Sequence, residues 1–131
     1  MIGGEPSTRL PGAPTVTDQP NVLHALSDLV ADRKANPPAE RSYVVSLLLG
    51  GTAKINAKIT EEAAEVVEAA DEPGVEGRAH LVREVADLVF HAVVLLRARD
   101  LGWDEVEKEL ARRFGISGIV EKESRGRPGK A

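Results

Sequence analysis

Residues 82–96 (VREVADLVFHAVVLL) constrain the fold of this chain more than any other stretch. Eleven of the fifteen are apolar, and they point to every side of a helical wheel. A helix without a polar face is expected to be buried on every side, which demands a bundle around it. The exceptions are Arg83, Glu84, Asp87 and His91. At about 100° per residue, Glu84, Asp87 and His91 fall within about 60° of one another and share a face inside that core. Burying an unpaired carboxylate costs several kcal/mol, so these groups must be ion-paired, protonated or metal-bound. A buried salt bridge to Arg or Lys is the plain solution; a functional site is the other, and the apolar surroundings favour it.

The rest of the chain reads as helix too. Val22, Leu26, Leu29 and Val30 define a helix over 21–35, ended by Pro37-Pro38. Ser42 can cap a short helix through Leu49 that Gly50-Gly51 break. Thr52 is placed to cap a helix running to about Ala70, followed by the turn Asp71-Glu72-Pro73-Gly74. The long helix covers about 77–100. A last helix starts at Asp104, with Glu107 at capping-box spacing and Val106, Leu110 and Phe114 on one face. Nothing alternates with period two long enough for a sheet strand; Tyr43-Val44-Val45 is too short. The expected class is all-α, a small helical bundle.

With 131 residues, the chain fits one domain. Residues 1–20 carry Pro6, Pro11, Pro14 and Pro20 with Gly3, Gly4 and Gly12 and no apolar periodicity, and read as a disordered extension; 126–131 (GRPGKA) read as a flexible tail. The domain is then 21–125, a small core for a monomer and an adequate one once dimerisation completes it.

Composition removes several functions. The 17 basic and 21 acidic side chains give a net charge of −4, against a general nucleic-acid binder. Four aromatics (Tyr43, Phe90, Trp103, Phe114) make no base-stacking platform. Without cysteine there are no disulfides, thiol nucleophiles or Cys-based metal sites. No apolar run reaches the length of a membrane span and no signal-peptide core opens the chain, so the expectation is a soluble, cytoplasmic protein without membrane or nucleic-acid partners.

The helix from Thr52 places Ile55, Ile59, Ala63, Val66, Val67 and Ala70 on one stripe and Lys54, Lys58, Glu61, Glu65 and Glu68 on the other, with Glu62 at the border. A solvated polar face is the plain reading. Against it, Glu61 and Glu65 at i, i+4 and Glu62 and Glu65 at i, i+3 repel by a few tenths of a kcal/mol each. A bound cation would reverse that sign. The chain thus reads Glu61-Glu62-x-x-Glu65, eighteen residues, then Glu84-x-x-Asp87. If the two helices pack antiparallel, two i, i+3 carboxylate pairs face each other. Hard oxygen donors without cysteine suit Mg²⁺, with Mn²⁺ as a substitute. The bundle di-iron pattern wants Glu-x-x-His, but Leu88 precedes His91 by three and Gly77 precedes His80 by three. Such a magnesium site meets phosphates, which Lys54 and Lys58 could hold unless they are ordinary surface lysines. Gly50-Gly51-Thr52-Ala53-Lys54 lacks Walker spacing and reads as a helix–helix turn.

Glu-Glu-x-x-Glu followed by Glu-x-x-Asp resembles the all-α nucleoside triphosphate pyrophosphohydrolases of MazG type. The flanks narrow the resemblance: Ser42-Tyr43, Leu47-Leu48, Gly51-x-x-Lys54-Ile55-x-x-Lys58, Ala86-Asp87-Leu88, His91, Val94-Leu95, Ser117-Gly118 and Glu121-Lys122-x-x-Arg125 are similar to the phosphoribosyl-ATP pyrophosphatases of histidine biosynthesis. Thr60 stands where that family usually has glycine, and Phe90 where it often has tyrosine. The resemblance covers about residues 21–125. It implies Mg²⁺-dependent hydrolysis of phosphoribosyl-ATP to phosphoribosyl-AMP and pyrophosphate, in a helical bundle completed as a homodimer. Together with the spacing, it assigns Glu62, Glu65, Glu84 and Asp87 as metal ligands and Glu61 to a water or a second ion. Lys54 and Lys58 become phosphate contacts, joined by Lys122 and Arg125 from the C-terminal segment; His91 is either a satisfied core histidine or a site residue. Two other readings stand beside this one. A house-cleaning pyrophosphohydrolase of nucleoside triphosphates would use the same carboxylates, and a non-catalytic helical interaction module would expose Glu84 and Asp87 to solvent.

Overall fold

The computed structural model describes residues 21–115. The expectations for 1–20, for Ser117-Gly118, Lys122 and Arg125, and for 126–131 lie outside the described residues. Four helices follow in order: α1 (Val22–Ala35), α2 (Tyr43–Ala70), α3 (Gly74–Ala98) and α4 (Trp103–Phe114), and no strand occurs among the described residues. The chain is all-α, as its periodicity requires.

Each boundary has a local cause. Asn21 caps α1, its side-chain oxygen accepting from the Leu23 and His24 amides at 3.1 and 3.2 Å. Ser42 caps α2 through the Val45 amide at 3.3 Å. Two expected helices run on as α2, kinked where Gly51 takes φ 80° and ψ −179°, a backbone state open to glycine at little cost. Gly50 stays helical beneath the Lys54 side chain, whose Nζ donates to the Ser46 carbonyl at 3.4 Å across the kink.

The α3 C-terminus departs from the usual glycine stop. Asp100 takes the left-handed conformation at φ 63°, and the amides of Asp100 and Leu101 bond back to the Arg97 and Leu96 carbonyls at 2.9 and 2.8 Å. Lys34 explains how an aspartate serves there. Its Nζ donates to the Asp100 carboxylate at 2.7 Å and to the Arg97 and Ala98 carbonyls at 3.0 and 3.4 Å.

Three expectations need correction. α3 starts at Gly74 rather than about 77, because Gly74 at φ 77° turns the chain straight out of Pro73 into helix. α4 starts at Trp103 with Gly102 as its cap residue, and Asp104 sits inside the first turn. The Trp103 amide is instead satisfied from another helix, by buried Ser27 Oγ of α1 at 3.2 Å. Third, α3 is not buried on every side within one chain: Val82 is 68% and Val85 40% exposed.

α2 and α3 form one long hairpin, and α1 lies against both with α4 packed on α1. The apolar core is concentrated at one end of it. Val30 of α1, Val44, Leu47 and Ile55 from both sides of the α2 kink, and Val93 and Val94 of α3 form a buried cluster, with Leu26, Ile59, Val89, Phe90 and Trp103 packed around it. Toward the Asp71–Pro73 turn the hairpin continues as a two-helix arm.

Candidate metal centre

The arm begins where Tyr43, Phe90 and His91 close the core. Tyr43 stacks on Phe90 with centroids 6.0 Å apart, and its hydroxyl lies 2.8 Å from His91 Nε2. His91 Nδ1 lies 2.8 Å from the Asp87 carbonyl. A carbonyl only accepts, so Nδ1 carries the proton and Nε2 accepts from the tyrosine hydroxyl, an assignment made from the network. Both ring nitrogens of buried His91 are therefore engaged within the protein, and the ring grips the backbone at Asp87.

One turn further out the buried groups are charged. Glu62 is 8% exposed and Glu84 9%. In each, Oε1 is buried without a hydrogen-bond partner among the described residues. No lysine or arginine among those residues makes an ion pair with either carboxylate; the partner of Glu84 is His80. The salt-bridge solution offered by the sequence is thus not the one adopted. Two buried carboxylates with orphaned oxygens cost free energy unless something else meets those oxygens.

Two overlapping donor sets surround them. Glu62, Glu84 and Asp87 each offer an atom within 4.8 Å of the others, and so do Glu65, His80 and Glu84. The four expected ligands thus gather around Glu84, which belongs to both sets. The carboxylate of Glu84 beside Glu65, hydrogen-bonded to it and repelling its charge, raises the Glu65 pKa above the usual carboxylate range. A hard divalent cation suits this donor set: it would give Glu62 Oε1 and Glu84 Oε1 the partner they lack and relieve the repulsion. The fit is chemical as well as geometric, since every donor but one is an oxygen.

Glu61 takes another direction, with Lys58 Nζ at 3.3 Å from its Oε1. That hydrogen bond also raises the Lys58 pKa, so the ammonium is firmly charged. Lys54 lies a turn before Lys58 and is exposed, its Nζ on the Ser46 carbonyl. Asp87 is exposed while Glu84 is not, so the interaction-module expectation of two solvated carboxylates fails for Glu84.

His80 was missed by the carboxylate spacing. In the sequence it stands only as the second half of a Glu-x-x-His pair, which Gly77 rules out. The available signal was His80 and Glu84 at i, i+4, one face of the same helix. Its ring spans two carboxylates: Nδ1 lies 2.9 Å from Glu72 Oε1 and Nε2 3.2 Å from Glu84 Oε2. The hydrogen bond to Glu72 raises the His80 pKa. Gly77 makes this approach possible, because a Cβ there would collide with the Glu72 carbonyl oxygen.

The family model described as phosphoribosyl-ATP pyrophosphohydrolase matches residues 23–114, which include both carboxylate pairs. The chain belongs to the phosphoribosyl-ATP pyrophosphohydrolase family. Membership makes it a hydrolase. Relatives named phosphoribosyl-ATP pyrophosphatase agree over most of both lengths. One from Rhodopirellula baltica is 50% identical over 79% of this chain and 85% of its own. One from Geotalea daltonii is 49% identical over 82% and 97%, and one from Neisseria meningitidis 47% over 80% and 94%.

Proposed function

We propose that this chain hydrolyses phosphoribosyl-ATP to phosphoribosyl-AMP and pyrophosphate, the second step of histidine biosynthesis, with Mg²⁺ as cofactor. One observation carries the reading: Glu62 and Glu84 are buried with unpartnered oxygens at the junction of two carboxylate sets, in a chain about half identical to named phosphoribosyl-ATP pyrophosphatases. Glu62, Glu65, Glu84 and Asp87 would hold the cation. Bound Mg²⁺ would neutralise phosphate charge and ready a water for attack between the α- and β-phosphates. Glu61, tied to Lys58, would orient that water or serve a second ion, and Lys54 and Lys58 would bind the outer phosphates. Lys122 and Arg125 would add phosphate contacts from the C-terminal segment. His91 fixes the Asp87 backbone from within the core.

A homodimer belongs to the same reading. Val67, Val75 and Val82 on the arm are 67%, 82% and 68% exposed, and covering them with a second copy would complete the small core. No helix among the described residues is long and apolar enough to cross a membrane. A biosynthetic step of this kind would run in the cytoplasm.

The test is pyrophosphate release from phosphoribosyl-ATP with and without Mg²⁺, beside a panel of nucleoside triphosphates, with Glu84→Gln as control. The reading requires Mg²⁺-dependent release from phosphoribosyl-ATP that the variant loses. Release from the panel alone would move the protein to the house-cleaning branch, with the same carboxylates at work.

A further inference from the structure

We propose that His80, oriented by Glu72, is a nitrogen ligand of the metal centre, and that Glu65, His80 and Glu84 form a subsite selecting a late first-row divalent ion such as Co²⁺ or Zn²⁺ over Mg²⁺. The inference rests on the reading of Glu84 as a metal ligand and adds two residues outside both carboxylate motifs.

The first observation is the donor geometry. His80 Nε2 points at Glu84 Oε2 at 3.2 Å, and Glu65 completes a set whose donor atoms lie within 4.8 Å of one another. The second is the unmet demand of that same carboxylate: Glu84 is 9% exposed, yet its buried Oε1 has no hydrogen-bond partner among the described residues. An imidazole that served only to neutralise Glu84 would leave that oxygen still orphaned. Glu84 therefore has capacity for a cation after His80 has taken Oε2.

The third observation is what lies behind the ring. A histidine that binds a metal through one nitrogen typically gives its other N–H to a carboxylate, which fixes the tautomer and raises the basicity of the ligating nitrogen. Glu72 Oε1 stands 2.9 Å from Nδ1 in that role. The turn holds it there: the Glu72 amide bonds to the Ala69 carbonyl at 3.1 Å, and Gly77 lets α3 pass against the Glu72 backbone. A surface ion pair would need none of this support.

Selectivity follows from the donors. The Glu62–Glu84–Asp87 set offers oxygen alone, which suits Mg²⁺. An imidazole among two carboxylates suits zinc, cobalt and iron, and raw affinity climbs along the first-row series toward copper. The two sets overlap at Glu84, and at Glu65 by the proposed function, yet would thus prefer different ions.

The experiment uses the full chain freed of metal, titrated separately with Mg²⁺, Co²⁺ and Zn²⁺ by calorimetry, with ¹⁵N-detected spectra of the histidine rings. Zn²⁺ should shift the His80 Nε2 resonance while Nδ1 keeps its proton, leaving the His91 signals in place. His80→Gln, checked for folding by its thermal melt, should weaken Co²⁺ and Zn²⁺ binding by more than the about 10–100-fold that loss of an outer-shell partner costs, with Mg²⁺ affinity within about twofold. Glu72→Gln should weaken Co²⁺ and Zn²⁺ by that 10–100-fold. A His80 signal indifferent to Zn²⁺ in the unmodified protein would overturn the proposal without needing any variant. Equal losses of Mg²⁺ and Zn²⁺ affinity in His80→Gln would also overturn it, leaving His80 a structural prop. If Mg²⁺ still binds in either case, the magnesium reading survives; if no ion binds the unmodified protein, both fall.

Discussion

The two ends of the α2–α3 hairpin are built on opposite rules. At the end covered by α1 and α4, aliphatic side chains are inside and polar groups are answered: Leu47, Ile55, Val93 and Val94 are fully buried. There Ser27 caps α4, and Lys34 caps α3. Along the arm, carboxylates are inside with unpartnered oxygens, and Val67, Val75 and Val82 are outside. The same two helices thus carry a region that stabilises itself and a region that is left unsatisfied. Sequences tend to agree with their fold at every level except at functional or strained sites, so the inverted end is where a site is expected even before any motif is consulted.

The sharpest way to break this comparison is to mutate one residue at each end and read activity and stability separately. Glu84→Gln should lower pyrophosphate release by about 100–1,000-fold, the usual cost of losing a group that stabilises transition-state charge. Its melting temperature should hold or rise, because a buried carboxylate is removed. A melt showing Glu84→Gln unfolded would make the arm structural and erase the contrast. Leu47→Ala should do the reverse, losing about 2–5 kcal/mol of stability through the cavity it leaves, with activity per folded molecule kept.

Val82→Asp sharpens the comparison at its outer surface. Exposed in the single chain, the substitution should shift the protomer's own stability by no more than about 0.5 kcal/mol. If a second copy covers the arm, the charge buried at that interface should reduce the mass seen by sedimentation from dimer to monomer. An unchanged mass would put the dimer contact on another face.

What could be read in the sequence divides along the same line. The core end was legible because apolar periodicity and breakers are local: 22, 26, 29 and 30 mark α1, and Pro37-Pro38 and Gly51 mark its stop and the kink. The carboxylate pairs were legible because i, i+3 spacing is local as well. Contacts between helices were not. Ser27 takes over the capping expected of Asp104 from a helix 76 positions away, and Glu72 reaches His80 only because the turn folds back past Gly77. The exposure of Val82 was hidden for a related reason. An all-round apolar helix predicts burial, but the wheel does not say whether the cover comes from the same chain.

The smallest effect separates the two ends by its sign. Arg112 and Arg113 hydrogen-bond Glu109 on α4 and lower its pKa from 4.5 to about 2. A depressed carboxylate pKa contributes stability above the unfolded value, and that contribution is lost as pH falls from 4.5 toward about 2. Glu65 on the arm is the opposite case. Its folded pKa is raised by Glu84, so the folded state holds its proton more tightly, and stability falls as pH rises past the ordinary 4.5. Both groups are solvent-accessible enough that the shifts in melting temperature should be small. Melts of Glu109→Gln and Glu65→Gln across this range, without divalent ions, should therefore diverge. Glu109→Gln should melt below the parent above pH 4.5 and converge with it in acid. Glu65→Gln should melt above the parent once Glu65 ionises, and a saturating divalent cation should cancel that advantage, because the repulsion it removes is the one the cation would neutralise. Profiles moving in the same direction would mean that the arm carboxylates are as well matched as those on α4, and that the charge buried there is not waiting for a ligand.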